Sequence, residues 1–302
     1  MASAPPATAG LLPVVCLLAV GGLLGATANL AKVAVAAGLP PLTYIAWPVL
    51  GAGAVLLAVA RAAGQPMPTT RPALRYAVFS GLLSVAAPNA LMFSALPHVG
   101  AGFAALSLAF PPLFTYLMAL ALRLERPRTG RALGVASGLA GAGVLAVAKW
   151  NAGDAPPLWI AAIIATPVII AAGNIYRTLR WPAGATSLSL APGMLVASGV
   201  MLVPLSLLAA TTGATPPLVV AGFLLAVQTV VFATLYTLYF VLQKIAGPVY
   251  LSQIGSVAAI VGTALAVLVL GEAPPPALAA SAVLIAIGVV LVTASPAAPR
   301  RR

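Results

Sequence analysis

The sequence has 302 residues, of which 62% are hydrophobic and 6% are charged, and its mean hydropathy is +1.11. A soluble domain carries about 25% charged residues, so this composition excludes a chain that covers its own surface for water. Apolar runs of about 20 residues are typical of membrane-spanning helices, and such runs fill nearly the whole chain. The sequence therefore predicts an integral membrane protein with little mass outside the bilayer.

The charged residues are few and strongly biased in sign. Fifteen Lys and Arg residues stand against three Asp and Glu residues, for a formal net charge of +12. The basic residues lie at the ends of apolar runs and lack the aromatic interleaving of a nucleic-acid surface, so no nucleic-acid partner is expected. A single cysteine, Cys16, excludes an internal disulfide and a CxxC metal site.

Clusters of Gly and Pro divide the apolar sequence into ten predicted helices. Their expected ranges are 11–36, 41–62, 74–96, 99–123, 130–149, 157–179, 187–210, 216–242, 248–271 and 276–294. With the N-terminus in the cytoplasm, this threading puts all of the fifteen Lys and Arg residues except Lys32 and Lys149 on the cytoplasmic side. The positive-inside rule then predicts that both termini are cytoplasmic.

The fourth and ninth predicted helices end in the same way. Residues 100–127 close on Glu125 followed by a proline two positions later, and residues 247–274 close on Glu272 with the same spacing. Only three acidic residues occur in the chain, and two of them hold this matched place. The match indicates an internal repeat, provided that other parts of the chain repeat in step.

A second match occurs at almost the same separation. Asn29 is followed three residues later by Lys32, and Asn174 is followed three residues later by Arg177. Five crossings are an odd number, so the second half would lie upside down relative to the first. The predicted fold is an all-α membrane protein of ten helices, built from two inverted five-helix repeats (residues 1–150 and 151–302) around a central cavity. Inverted repeats are typical of alternating-access transporters.

This plan resembles the EamA-type branch of the drug/metabolite transporter superfamily. The resemblance rests on the ten-helix plan, the two glutamate-closed helices and the Gly-rich final helix of each half, and it extends over essentially the whole chain. Within the branch, the sequence is similar to bacterial inner-membrane exporters of aromatic amino acids (the YddG type). The resemblance implies export of small organic solutes, most of all aromatic or neutral amino acids, by alternating access.

Energy coupling is constrained by what the sequence lacks. There is no GxxxxGK[ST] phosphate loop for ATP hydrolysis, and all three acidic residues fall at predicted helix ends or in loops. Proton pumps generally use an intramembrane acid or His relay. Facilitated efflux or exchange is therefore expected. The alternative within the superfamily is a drug, nucleotide-sugar or sugar-phosphate transporter, although phosphates would require more converging cations than Lys32 and Arg177.

An intramembrane enzyme is the less favoured class. It would need a nucleophile–base pair or metal ligands, and one His, one Cys and no mid-membrane acid leave nothing to assemble. We predict no catalytic residue, no metal and no cofactor. The expected partners are the lipid bilayer and a small-molecule substrate, namely an amino acid or related metabolite, and the expected state is a monomer or weak oligomer in the bacterial inner membrane.

Polar and aromatic side chains inside helices are the candidates for substrate binding. An unpaired amide in hydrocarbon costs several kcal/mol, so amides are expected to face other helices or a wet cavity, and rings beside them suit an apolar ligand. Packing between helices is the alternative role for each. The predicted set is Asn29, Trp47, Asn89, Asn174, Gln228, Tyr236, Tyr239, Tyr250 and Gln253.

Two gating ion pairs follow from the repeat. Lys32 and Glu272 are predicted near one side of the membrane, and Arg177 and Glu125 near the other. We hypothesise that each pair closes one vestibule and that the two pairs break in turn. Independent positions at the interfaces are the alternative, since long basic side chains reach the headgroups on their own.

A proline pair distinguishes the two halves. Pro111 and Pro112 lie in the middle of the fourth predicted helix, whereas Ala258 and Ala259 occupy the matching place in the ninth. Proline is tolerated in membrane helices and kinks them. We predict a hinge at Pro111 and Pro112 and halves that are not mechanically equivalent.

Overall fold

The computed structural model describes most of the chain. The described residues are 8–99, 107, 110–124, 127–151, 156–209, 217–252, 254–271, 279–280, 283–284, 286–288 and 290–291. All regular structure among them is helical, which confirms the all-α class for this part of the chain. Glu125, Gln253 and Glu272 lie outside the described residues, as does the side chain of Tyr250.

The helices follow one another with short connections. They are α1 (Thr8–Ala36), α2 (Pro41–Ala62), α3 (Arg71–Gly81), α4 (Ala87–Val99), α5 (Pro111–Ala121), α6 (Thr129–Asn151), α7 (Pro157–Leu179), α8 (Ser187–Ala209), α9 (Leu218–Ser252) and α10 (Ile254–Leu268). A π-helical turn, Leu82–Ala86, joins α3 to α4. Described residues between 279 and 291 are also helical.

Six segments within the described residues are long and apolar enough to cross a membrane. They are Leu12–Ala36, Pro41–Ala62, Arg71–Ala95, Pro157–Leu179, Ser187–Ala209 and Leu218–Ala246. Large apolar side chains on their outer faces are exposed, as expected for a lipid-facing surface. The chain is a multi-pass membrane protein, and the count of ten crossings remains a prediction.

Proline sets several helix starts where the sequence predicted them. Pro41 and Pro157 each occupy the first position of a helix. The first turn has no intrahelical partner for its N–H groups, and the ring fixes a helical φ, so proline is favoured there. The predicted ranges 41–62 and 157–179 coincide with α2 and α7.

Pro111 has the same role, which differs from the expected mid-helix position. Helix α5 begins at Pro111, and Phe110 precedes it as the N-cap residue. The amide of Phe110 donates to the Ser107 carbonyl at 3.2 Å. Since proline suits a first turn better than an interior, the pair starts a helical segment.

The predicted third helix contains a wide turn. Pro88 has no N–H for the carbonyl of Ser84, and its ring crowds that carbonyl. A π-helical turn accommodates the proline, and in this turn the Ala87 amide donates to the carbonyl of Leu82. Single π-helical turns inside α-helices are frequent at functional sites.

Helix α9 extends beyond its predicted end. It continues to Ser252, through Gly247 and Pro248, where the sequence predicted a break after residue 242. A proline in a membrane helix removes one N–H and leaves the other bonds available, so this Gly-Pro pair does not end the helix.

The contacts between helices occur in matched pairs. Each of the following contacts has a counterpart in which the corresponding helices of the two predicted halves change places. Helix α1 packs against α9 and α10, while α7 packs against α4 and α5. Likewise α9 packs against α2, and α3 packs against α8. The most extensive contact joins α2 to α8, which are the second helices of the two predicted halves. This contact pattern is the one expected if helices 157–209 repeat helices 8–62.

Two glycines lie at the α2–α8 contact in matching places. A Cβ on Gly53 would lie 2.8 Å from the backbone nitrogen of Val196, and a Cβ on Gly199 would lie 2.6 Å from the Cβ of Leu50. Gly53 faces Val196, which lies three residues before Gly199. Gly199 in turn faces Leu50, which lies three residues before Gly53. Small residues let membrane helices approach closely, so this crossing depends on the absence of both Cβ atoms.

Candidate functional site

A cavity lies between helices of both predicted halves. Its empty volume is about 930 Å³, including the part open to solvent. Apolar and aromatic side chains form most of the wall, with a few polar groups among them, as in ligand sites generally. The lining residues are Leu24, Thr27, Ala28, Ser84, Pro88, Asn89, Met92, Phe93, Pro111, Thr166, Ile170, Asn174, Phe232, Leu235, Tyr236, Tyr239, Leu251, Ile254 and Gly255.

Irregular backbone brings part of the wall into place. Ser84 lies in the π-helical turn, Pro88 and Asn89 follow it in α4, and Pro111 begins α5. The Ser84 hydroxyl is buried without a partner among the described residues. Two prolines that accompany interruptions of regular helix, Pro88 and Pro111, thus both line the cavity.

One end of the cavity is backed by a group of four side chains, which we call the Arg177 cluster: Asn174, Arg177, Tyr239 and Gln243. Arg177 lies in the last turn of α7 and is fully buried. Its Nε donates to Gln243 Oε1 at 2.9 Å, and its Nη2 donates to Asn174 Oδ1 at 2.7 Å and to the Tyr239 hydroxyl. The guanidinium carbon also lies 4.9 Å from the centre of the Tyr239 ring.

The cluster leaves specific atoms without partners. Arg177 Nη1 and Gln243 Nε2 are buried and have no hydrogen-bond partner among the described residues. Asn174 and Tyr239 line the cavity, while Arg177 and Gln243 lie behind them. The negative end of the α7 dipole favours a cation at this place.

A second polar group, the Gln228 cluster, joins α1, α2 and α9. The Tyr44 hydroxyl donates to Gln228 Oε1 at 2.5 Å, and Gln228 Nε2 donates to the Thr27 hydroxyl at 3.2 Å. Thr27 in turn donates to the carbonyl of Leu23 at 3.0 Å. Gln228 and Tyr44 are fully buried, and only Thr27 lines the cavity. Gln228 therefore contacts neighbouring helices here and not the cavity space.

Four members of the predicted substrate set line the cavity: Asn89, Asn174, Tyr236 and Tyr239. Tyr236 packs against Phe232 and Tyr239, with ring centres 5.8 and 5.9 Å away. The structure thus places these amides and rings in one wall. Their contact with substrate remains a prediction.

Other members of the set lie elsewhere. Asn29 donates to the carbonyls of Gly25 and Gly262, at 3.1 and 3.0 Å, and so joins α1 to α10. Trp47 is 42% exposed and is not among the lining residues. Gln253 and the side chain of Tyr250 fall outside the described part of the chain.

The gating pairs are only partly within the described structure. Arg177 is buried in its cluster and Lys32 is half-buried on α1. Their predicted partners, Glu125 and Glu272, lie outside the described residues. Both pairs therefore remain predictions.

Sequence reasoning missed several residues of this region. Thr27, Ser84 and Thr166 line the cavity, and Gln243 anchors Arg177, yet none was a candidate. Gln243 is one turn beyond Tyr239 on the same helix face, which was the available signal. The hydroxyl residues carried no signal, because Ser and Thr are common in membrane helices and often bond their own backbone. Among the described residues no cluster of His, Cys, Asp and Glu could hold a metal.

One protein-family model matches the N-terminal part of the chain. Residues 11–147 match the EamA-like transporter family. An EamA-like transporter domain is present. The match lies within the predicted first repeat, and it agrees with the drug/metabolite transporter resemblance at the level of the superfamily.

A comparison with solved structures gives information on the fold. One crystal structure, whose description names no function, aligns with this chain at a TM-score of 0.67 and 22% identity, over 95% of this chain and 98% of that one. At this identity the likeness bears on the fold alone, and it extends over both halves. No curated protein matches the chain.

Proposed function

We propose that this protein is a secondary transporter that exports small organic solutes, with aromatic and neutral amino acids as the substrate class. The observation that carries the proposal is the cavity whose wall combines aromatic rings with a few amides and hydroxyls. The EamA-like domain supports the same conclusion, because that family is a transporter family. It also favours a transporter over an enzyme.

The cavity chemistry suits a substrate with an apolar body and a small polar end. Phe93, Phe232 and Tyr236 supply rings, and Asn89 and Asn174 supply amides within the same wall. A sugar phosphate would need several cations, and the described residues that line the cavity include none. A neutral or aromatic amino acid fits this composition better than a phosphorylated solute.

Alternating access would use the paired contacts of the two halves. In this proposal, residues 1–150 and 151–302 are inverted repeats that rock about the α2–α8 crossing. The Lys32–Glu272 and Arg177–Glu125 pairs close the two vestibules in turn, and the segment starting at Pro111 and Pro112 acts as the hinge. The symmetric contacts of α1 and α7 support such a motion.

The direct test is transport by purified protein in liposomes. Vesicles loaded with radiolabelled phenylalanine or leucine are expected to release it faster than protein-free vesicles, in a saturable way and without a pH gradient. Nucleotide sugars and sugar phosphates form the comparison arm. Release of these and of no amino acid would contradict the substrate class, and release of no solute would contradict transport.

The gates have a separate test. Exchanging the charges, with Lys32→Glu combined with Glu272→Lys, is expected to restore transport that either single change abolishes, because an ion pair works in both orientations. Failure of the double variant to recover above the single variants would contradict the gate.

A further inference from the structure

The charge of Arg177 is met by neutral oxygens within the described structure. The guanidinium donates to an amide oxygen of Gln243, an amide oxygen of Asn174 and the hydroxyl of Tyr239. No acidic residue is among those the structure describes, since Glu125 and Glu272 and the third acid, Asp154, all lie outside them. Among the described residues the buried guanidinium thus has only neutral acceptors, and its positive charge favours a negative group at the adjacent end of the cavity.

Arg177 also fixes how its two cavity-lining neighbours are oriented. A guanidinium has five donors and no acceptor, so the oxygen of Asn174 and a lone pair of Tyr239 must turn toward it. The groups left to Asn174 and Tyr239 are the amide N–H₂ and the phenolic O–H, which are donors. Both side chains line the cavity, whereas Arg177 stands behind them.

The remaining bonds of these donors are long. Asn174 Nδ2 donates to the Thr115 hydroxyl at 3.5 Å, and the Tyr239 hydroxyl donates to Asn174 Oδ1 at 3.3 Å. Good bonds of these types are about 2.7–3.0 Å, and bonds to an ionised acceptor are shorter and about twice as strong. A carboxylate in the cavity would therefore be a better acceptor than either present partner.

A different lining residue offers the opposite polarity. Asn89 Nδ2 donates to the carbonyl of Val85 at 2.7 Å, and none of the described contacts uses its side-chain oxygen. That oxygen can accept from an ammonium group. Donors at Asn174 and Tyr239 and an acceptor at Asn89 give the cavity a fixed polarity.

We propose that Arg177 is a positioning residue that makes the Asn174–Tyr239 end of the cavity a carboxylate site, so that the substrate binds with its carboxylate there and its ammonium group toward Asn89. This inference rests on the proposed function, since it specifies how the transported solute lies. It assigns Arg177 a role in selection that is separate from the proposed gate.

The test uses three compounds that share a phenyl ring: phenylalanine, phenethylamine, which lacks the carboxylate, and 3-phenylpropionate, which lacks the ammonium group. Each competes against radiolabelled phenylalanine in proteoliposomes. For the unchanged protein, phenethylamine is expected to compete at least about tenfold more weakly than phenylalanine, the size of a lost charged hydrogen bond. In Arg177→Gln this ratio is expected to fall below about threefold. Arg180→Gln, an exposed arginine three residues further on, is the matched control and is expected to keep the original ratio.

Three further arms make the result decisive. Glu125→Gln separates selection from gating, because a role of Arg177 confined to a pair with Glu125 predicts the same ratio change in both variants. If Arg177→Gln does not fold, judged by size-exclusion chromatography, Tyr239→Phe and Asn174→Ala carry the same expectation. If no solute is transported, the proposed function fails, and thermal stabilisation of the purified protein by phenylalanine but not by phenethylamine still supports the carboxylate site. Equal competition, or equal stabilisation, by phenylalanine and phenethylamine in the unchanged protein would overturn it.

Discussion

Two fully buried tyrosines differ in what their hydroxyl groups contact. Tyr44 donates to Gln228 at 2.5 Å, whereas the Tyr76 hydroxyl is buried without a hydrogen-bond partner among the described residues. The Tyr76 ring is held by aromatic neighbours, with Tyr176 and Trp181 at 6.1 and 6.2 Å between ring centres. At Tyr44 the hydroxyl group therefore contributes to stability, whereas at Tyr76 the ring does.

This difference gives a matched pair of variants. Tyr44→Phe is expected to lower the free energy of unfolding by about 1–3 kcal/mol, because it leaves Gln228 Oε1 buried and unpaired. Tyr76→Phe is expected to leave stability unchanged or slightly raised, because it removes an unpaired hydroxyl and keeps the ring. Thermal unfolding of both variants in one detergent measures the effect. A loss in Tyr76→Phe as large as in Tyr44→Phe would contradict the assignment.

At this scale the sequence predicted which residues are polar and inside helices, but it did not predict their partners. Asn174 and Arg177 were candidates, and both belong to the Arg177 cluster. Gln243 was not, because its partnership with Arg177 depends on how α9 crosses α7. The repeat also suggested equal roles for Asn29 and Asn174, yet Asn29 bonds backbone carbonyls between α1 and α10.

At the scale of helices, the α2–α8 crossing rests on two glycines. A methyl group at Gly53 would meet backbone of α8, and one at Gly199 would meet backbone and Cβ atoms of Leu50 in α2. Backbone atoms cannot rotate away as a flexible side chain can. The two helices would have to separate, and the long contact between them would loosen.

Alanine substitutions test this crossing. Gly53→Ala and Gly199→Ala are each expected to lower the free energy of unfolding by about 1–3 kcal/mol, the usual cost of overpacking. Gly22→Ala in α1 is the control, because a Cβ there meets nothing within 4 Å and alanine has the higher helix propensity. Denaturation by sodium dodecyl sulfate or heat measures the differences. Similar effects in all three variants would show that helix propensity, and not the crossing, determines the result.

Helix boundaries were predictable where proline starts a helix and unpredictable where the backbone changes form inside an apolar run. The starts at Pro41 and Pro157 agree with the sequence because the ring excludes an earlier helical turn. The π-helical turn at Leu82–Ala86 and the start at Pro111 did not emerge, since a continuous apolar pattern gives the same signal for a regular and an irregular helix.

At the scale of the whole molecule, the predicted orientation in the membrane rests on the distribution of charge. The net charge of +12 is carried largely by residues predicted on one side of the membrane. Two described connections that lie in different halves, at residues 63–70 and 180–186, are both predicted to face the cytoplasm. Exposed positions in both connections allow this to be tested directly.

Cysteine labelling tests the predicted orientation. In a Cys16→Ala background, which removes the free and buried cysteine, Ala63→Cys and Ala183→Cys are expected to resist a membrane-impermeant maleimide in intact cells and to react after the membrane is opened. Pro156→Cys, at an exposed position predicted outside, is expected to react in intact cells. Labelling of Ala63→Cys and Ala183→Cys on opposite sides would contradict the inverted plan.

The sequence predicted the class of fold at this scale better than the substrate. Composition and periodicity suffice for a multi-pass helical protein, and the paired glutamates led to a transporter superfamily whose EamA-like domain is present at residues 11–147. In our proposal, substrate choice depends on a small number of atoms in the cavity wall. The positions of these atoms depend on irregular backbone and on helix crossings, which could not be predicted from a single sequence.

The π-helical turn also has a genetic consequence. A π-helical turn holds one residue more than the α-helical turn it replaces, so it behaves as an insertion accommodated within a helix. Deleting one codon between Leu82 and Ala86 would allow a regular helix and would keep every later residue type. Because the wide turn absorbs this extra residue, the deletion would leave Asn89 and Phe93 facing the cavity. A regular α-helix through the same residues with none deleted would instead turn both by about 100° relative to α3 and away from the cavity wall. The number of residues in this short segment, matched to its wide turn, thus determines which side of α4 faces the cavity.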